Sequence, residues 1–220
     1  GSSRVLALLM PLSFTPKSDI EDALNLARWL GINHRVIPID SIVEAFLNVV
    51  PYEESNPSYR MPAANLRARV RMLILYYYAN LYDFLVAGSS DKSEVLIGYY
   101  TKYGDGAVDF LPLGCLYKTQ VRELGKRLGV PERITSKPSA PRLWRGHTAR
   151  GEIGYEYEEI DVVLYSLFDL KLCVEKAVEY TGLPRELFEK ILLMHRTSRH
   201  KRTTPPLPIL PWLQNPILEI

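Results

Sequence analysis

The sequence predicts an α/β fold: a doubly wound, mostly parallel sheet with helices on both faces and a helical C-terminal part. Three observations predict it. Val5-Leu6-Ala7-Leu8-Leu9-Met10 is an unbroken apolar run stopped by Pro11, the pattern of a strand buried on both faces of a parallel sheet. A helix and a second strand follow it with short joins, which makes a βαβ unit with a right-handed crossover. Three helical patterns finish the chain.

Each element has its own signal. Ser18, with Glu21 three residues on, predicts a capping box; the helix it starts presents Ile20, Ala23, Leu24 and Ala27, and Gly31 closes it. Arg35–Ile39 is the next strand, and Pro38 places it at an edge or near a strand end. Ser41–Val50 reads as a short helix, followed by a polar, proline-bearing loop through Pro62. Ala63–Tyr82 is a longer helix with Leu66, Val70, Leu73 and Tyr77 at helical spacing. Arg67, Arg69 and Arg71 alternate along it, and residues two apart lie on nearly opposite faces. A helix arginine is ordinarily solvated, yet three so spaced put at least one toward an interface or a site.

Phe84–Ala87 reads as a buried strand ending at Gly88, and ligands of such sheets sit at the carboxyl ends of strands. Thr119–Leu128 is an amphipathic helix ended by Gly129. Lys137–Arg150 is a long loop, of the kind that closes over a reacting centre as a lid. Helical patterns cover Tyr157–Asp169, Leu172–Tyr180 and Arg185–His195, and the basic run Arg196–Arg202 reads as a solvated end.

With 220 residues, 47% of them hydrophobic, the chain can bury one sizeable core, and one domain over residues 1–220 is expected. A net charge of +2 argues against a nucleic-acid binder. Cys115 and Cys173 are too far apart for a metal cluster or a disulfide framework, which points to a reducing cytoplasm. No signal peptide and no membrane-length apolar run is present.

Phosphate chemistry concentrates in Gly88–Lys118. Gly88-Ser89-Ser90-Asp91-Lys92-Ser93-Glu94 leaves the backbone open to a ligand, Thr101-Lys102-Tyr103-Gly104-Asp105-Gly106 follows, and Asp109 and Lys118 complete the set. Glu94 suits a hard cation such as magnesium, and the lysines answer phosphate as point charges. Each piece also has a structural reading. Asp91 and Glu94 are spaced as a capping box for a helix over Lys92–Ile97, and Tyr103–Gly106 is good turn chemistry.

Ser89–Glu94, Gly98–Gly106, Leu111–Gly114 and Leu116–Arg122 together resemble the ammonia-dependent NAD synthetase family, in the N-type ATP-pyrophosphatase group with its Rossmann-like sheet. The resemblance extends to Asn65–Met72, Lys137–Ala140, Leu143-Trp144 and His200–Arg202, leaving a tail after Pro206 unmatched. It implies amidation of deamido-NAD by ammonia with magnesium-ATP, through an adenylated carboxylate, releasing AMP and pyrophosphate. Carried over residue by residue, Glu94 is a magnesium ligand, Ser89, Lys118 and Ser139 contact ATP, and Arg69, Lys102, Asp109, His200 and Lys201 hold deamido-NAD. Asp105 and Lys118 take the catalytic roles, Asp105 beside the nicotinate carboxylate where it steers or deprotonates ammonium. A homodimer is implied, with His200-Lys201 reaching across it.

Two departures accompany the resemblance. The family's Ser-Gly-Gly-x-Asp-Ser loop does not occur, so the chain is expected to lack its first strand and phosphate loop, or to be given incompletely. Lys137-Pro138-Ser139 also has one proline fewer than the family pattern. Glutamine-dependent relatives carry an additional hydrolase domain that 220 residues cannot hold, which makes free ammonia the nitrogen source. The rival readings are another ligase of the ATP-pyrophosphatase group and a non-enzymatic nucleotide- or RNA-binding remnant.

Overall fold

The structure, a computed structural model, describes residues 1–208, so the tail after Pro206 lies almost wholly outside it. Strands β1 (Leu6–Leu9) and β2 (Asn33–Val36) pair in parallel, with Leu6 opposite Asn33 and Leu9 opposite Val36. Helix α1 (Lys17–Trp29) makes the crossover. Pairing bonds continue past β2, from Ile37 N to Leu9 O at 2.8 Å and from Ile39 N to Pro11 O at 3.1 Å. The strand therefore begins two residues earlier than expected, and Pro38, which has no N–H, falls where regular pairing stops. The α/β reading holds with a small parallel sheet.

Some local expectations are corrected. The residues of β1 are half-buried instead of covered on both faces. Helix α1 starts at Lys17 behind Pro16 with no side-chain cap, so Ser18 and Glu21 form no box; the ring of Pro16, at φ −56°, already sets the entry direction. Phe84–Ala87 is extended, but it makes one parallel bridge, Ala87 to Phe110, and leaves Phe84 and Leu85 exposed. With pairing confined to that end, only Val86 of the run is buried.

Helix α2 (Asp40–Leu47) is tied to the loop after β1, because Asp40 Oδ1 accepts Ser13 N at 2.8 Å. Helix α3 (Arg60–Tyr82) starts three residues ahead of the expected Ala63, since Pro62 is tolerated in a first turn. A small core of Leu12, Ile39, Val43 and Val70 joins the loop after β1 to α2 and α3.

Helices α4 (Lys92–Ile97), α5 (Lys118–Arg127), α6 (Glu132–Thr135) and α7 (Ala149–Ile153) come next. Helix α8 (Tyr157–Leu164) runs into a π-helical turn over Tyr165–Asp169, and α9 (Val174–Thr181), α10 (Arg185–Thr197) and α11 (Arg199–Arg202) follow. The larger core is helical: Ile97, Ile153, Ile160, Leu164, Leu187, Phe188 and Ile191 pack together.

The basic run is only partly the solvated end expected of it. Arg202 donates to Leu96 O at 3.1 Å and to His195 O, and Lys201 Nζ donates to Gly98 O and Tyr100 O, each at 2.7 Å. The last carbonyls of a helix have no partner within it, and here cations supply one to α4. Gly98 permits the approach: its φ of +69° is left-handed, and a Cβ there would collide with Ser198.

Candidate active site

The site is built where α4, α5 and α8 meet. Asp91 caps α4 through the box read from the sequence: Glu94 N donates to Asp91 Oδ1 at 3.0 Å, and Asp91 N reaches Glu94 Oε2 at 3.3 Å. The other oxygens of both carboxylates face Lys118, whose Nζ lies 2.6 Å from Asp91 Oδ2 and 2.6 Å from Glu94 Oε1. The capping reading and the charge reading are therefore both realised by the same two residues. Tyr157 lies beside them, its ring centroid 5.1 Å from Lys118 Nζ and its buried hydroxyl without a hydrogen-bond partner among the described residues.

Below this pair lies Asp161 of α8, buried at 5% exposure. Its Oδ1 accepts Ser93 Oγ at 2.5 Å, and its Oδ2 accepts both Thr119 N and Thr119 Oγ1 at 2.8 Å. Ser93 Oγ in turn accepts Lys118 N at 2.9 Å.

These contacts shape the charges. Burial first, and Asp91 second, push the Glu94 carboxyl above its ordinary pKa, against the pull of Lys118. For Lys118 burial lowers the pKa, but Glu94 and Asp91 outweigh it and the net shift is upward. Asp161 is raised by burial, with its Ser93 and Thr119 bonds opposing. Two carboxylates thus contact one ammonium, and a third, Asp161, is buried close by on Ser93 and Thr119.

The arginines of α3 separate as their spacing requires. Arg67 Nη1 donates to Leu143 O at 2.5 Å and lies over the Phe14 ring, Arg69 donates to Lys102 O at 3.3 Å, and Arg71 Nε donates to Met10 O at 3.1 Å. One helix thereby holds the loop after β1, the turn with Lys102, and the long loop near Leu143. In that turn Asp105 Oδ1 accepts Thr101 N at 2.8 Å. Asp105 is open to water yet flanked by protein, and desolvation raises its pKa against Thr101, Lys201 and Arg71.

The Lys137–Arg150 loop is fastened at both ends. Lys137 Nζ is 2.6 Å from Asp19 Oδ1 and 2.8 Å from Asp22 Oδ2, and Arg142 Nε is 2.9 Å from Asp19 Oδ2. At the far end buried His147 stacks on Trp144 and meets Glu152 Oε2 at 2.8 Å, and Tyr99 donates to the same oxygen at 2.7 Å.

Of the residues singled out in the sequence, Glu94 and Lys118 come into direct contact. Arg69 meets the Lys102 carbonyl, and Lys201 reaches the chain just ahead of Asp105. Asp109 is occupied with the fold, accepting Val86 N at 2.7 Å and Tyr76 OH at 3.1 Å. Ser139 Oγ accepts Arg122 Nη2 at 3.3 Å, while Ser89 and His200 are exposed. Sequence reasoning passed over Asp161 and Glu152 and gave Ser93 and His147 no role of their own; Asp161 meets partners 42 and 68 positions away, which no local pattern encodes.

The donor set suits a hard divalent cation: carboxylate oxygens in excess over ammonium, without thiolates. Among the described residues no three histidine, cysteine or acidic side chains converge as a closed metal cage. Magnesium fits such a site, because it keeps waters and takes further oxygens from phosphate.

These segments are those that known proteins share. The model of the family described as NAD synthase matches residues 1–205. The NH(3)-dependent NAD(+) synthetase of Staphylothermus marinus is 56% identical over 221 residues, covering 100% of this chain and 79% of its own length. Among solved structures, NMN synthetase from Francisella tularensis superposes with a TM-score of 0.79 at 36% identity, covering 93% of this chain and 79% of that one. NH3-dependent NAD synthetase from Campylobacter jejuni, in complex with the nitrate ion, gives 0.75 at 31% identity, covering 93% and 78%. With its charged cluster, its arginine-bearing helix and its fastened loop all inside the matched region, the chain belongs to the NAD synthase family.

Proposed function

We propose that this chain is an ATP-dependent ligase that joins ammonia to the nicotinate carboxylate of deamido-NAD, giving NAD, AMP and pyrophosphate. One observation carries the reading: the family match over residues 1–205 takes in every segment that folds around Glu94, Lys118 and Asp105. Ammonia cannot displace an oxygen from a carboxylate, so that oxygen first attacks the α-phosphorus of ATP and pyrophosphate leaves. The nitrogen then attacks the acyl carbon, AMP departs with the carboxylate oxygen, and a proton is lost.

Two dense anions must meet, and preorganised cations are the main way to stabilise the charge that develops. Lys118, with Ser89 and Ser139, faces ATP, and its ammonium turns from the carboxylates toward phosphate. Arg69, Lys102, Asp109, His200 and Lys201 hold the dinucleotide. Asp105 holds the incoming ammonium by charge and accepts its proton. Glu94, with Asp91 beside it, would hold magnesium, which would supply positive charge to the polyphosphate. Two copies of the chain meet on the apolar groove of Ile42, Leu73 and Tyr77, and the enzyme works in the cytoplasm.

Incubation with deamido-NAD, magnesium-ATP and ammonium, followed by chromatography, tests the reading. Equal amounts of NAD and AMP support it, and ATP hydrolysis without amidation rejects it. A second reading comes from the likeness to an NMN synthetase: the acceptor is the mononucleotide. Comparison of kcat/KM for nicotinate mononucleotide and deamido-NAD decides between them.

A further inference from the structure

We propose that Asp161 is a positioning residue that sets the Lys118 ammonium between Asp91 and Glu94, and so governs ATP use. This deepens the ligase reading and rests on it. The first N–H groups of α5 lack partners within the helix, and its N-cap residue, Tyr117, offers none from its side chain. A residue of α8, far away in the chain, supplies the missing acceptor: Asp161 Oδ2 takes the Thr119 N–H and the Thr119 hydroxyl, both at 2.8 Å.

The same carboxylate reaches α4 through Ser93, whose hydroxyl donates to Asp161 Oδ1 while its oxygen accepts the Lys118 N–H. Ser93 precedes Glu94, and Thr119 follows Lys118. Three bonds to one buried group therefore fix the origins of both side chains in the ion pair. Asp161 faces Ser93 of α4 and Thr119 of α5, and the charge of Asp91 also acts on it. Its own bonds are made to neutral donors, so its role is geometric support for the cation that meets phosphate.

Asp161→Asn keeps the shape but exchanges an acceptor for a donor, and Ser93→Ala removes the link to α4 together with the acceptor of the Lys118 N–H while leaving both Thr119 bonds. The experiment measures KM for ATP, KM for deamido-NAD, and kcat in both variants, with crystal structures of each. The expected result is a rise in KM for ATP of about tenfold or more, with KM for deamido-NAD within about twofold of the wild type and Lys118 Nζ displaced in the crystals. A fall in kcat with both KM values unchanged means a loss of folded enzyme only, and overturns the proposal. Lys118 Nζ unmoved in both crystals overturns it as well. If the wild-type chain makes no NAD, the ligase reading fails, and the crystals alone still decide whether Asp161 places Lys118.

Discussion

Lys118 Nζ lies 2.6 Å from Glu94 Oε1, so the residue proposed for ATP and the residue proposed for magnesium neutralise one another. The pairing has a physical motive. Both side chains are mostly buried, at 16% and 19% exposure, and an unpaired charge at that depth is costly. In the proposed reaction phosphate and magnesium would each take the place of one of these partners, an exchange.

Removing the cation tests that exchange. Lys118→Met leaves Asp91 and Glu94 without their counter-ion, and the expected cost is about 3–5 kcal/mol in unfolding free energy, with ATP turnover reduced at least about a hundredfold. Urea denaturation and steady-state kinetics check the two effects separately.

The pH dependence of that variant follows from Glu94. Its folded pKa is raised above the ordinary 4.5, by burial first and Asp91 second. A carboxyl of this kind contributes stability that is complete below the unfolded value and lost as pH rises through the folded one. Without Lys118 the folded value climbs further, so the deficit in Tm against wild type is expected to widen between about pH 5 and about pH 8. An equal deficit at both ends shows that Glu94 is already neutral or already solvated.

Glu94→Gln retains the size of the side chain and removes one negative charge. The magnesium concentration for half-maximal rate is expected to rise by about tenfold or more, and a magnesium titration at saturating ATP measures it. An unchanged midpoint takes Glu94 out of the metal site.

The long loop should loosen when its acidic anchors go. Asp19→Asn with Asp22→Asn removes the partners of Lys137 and Arg142, half-buried surface pairs whose attraction water screens. The expected outcome is faster trypsin cleavage at exposed Arg145 with little change in Tm. Cleavage at the wild-type rate assigns the anchoring to Arg67 and His147.

The apolar groove offers a test of assembly. Leu73 and Tyr77 are 62% and 67% exposed on α3, a costly arrangement for a free surface. Leu73→Asp is expected to convert a dimer into a monomer in analytical ultracentrifugation. A wild-type chain that sediments as a monomer at all concentrations rejects this interface.

Much of the architecture is legible along the chain because it is local. The Val5–Met10 run, the Asp91–Glu94 box and the glycines closing helices depend on neighbours a few residues apart, and each appears where its pattern puts it. The misreadings also have local causes. Ser18 and Glu21 have the spacing of a box, but Pro16 already directs the chain. Phe84–Ala87 has the composition of a buried strand, but burial depends on how much of it is paired.

By itself the sequence determined the α/β class, the family, and the identity of the charged residues, because residue type and spacing carry that information. Only the tertiary structure decided which charges meet. The Lys118 ammonium finds Asp91 and Glu94 through the packing of α4 on α5, and Asp161 reaches both helices from α8. Arg69 and Lys201 spend their donors on carbonyls that end a turn and a helix, contacts that exist only once the chain has folded. Hydrogen bonds and ion pairs act over about 3–4 Å, and distances of that size between residues far apart in the chain are set by packing.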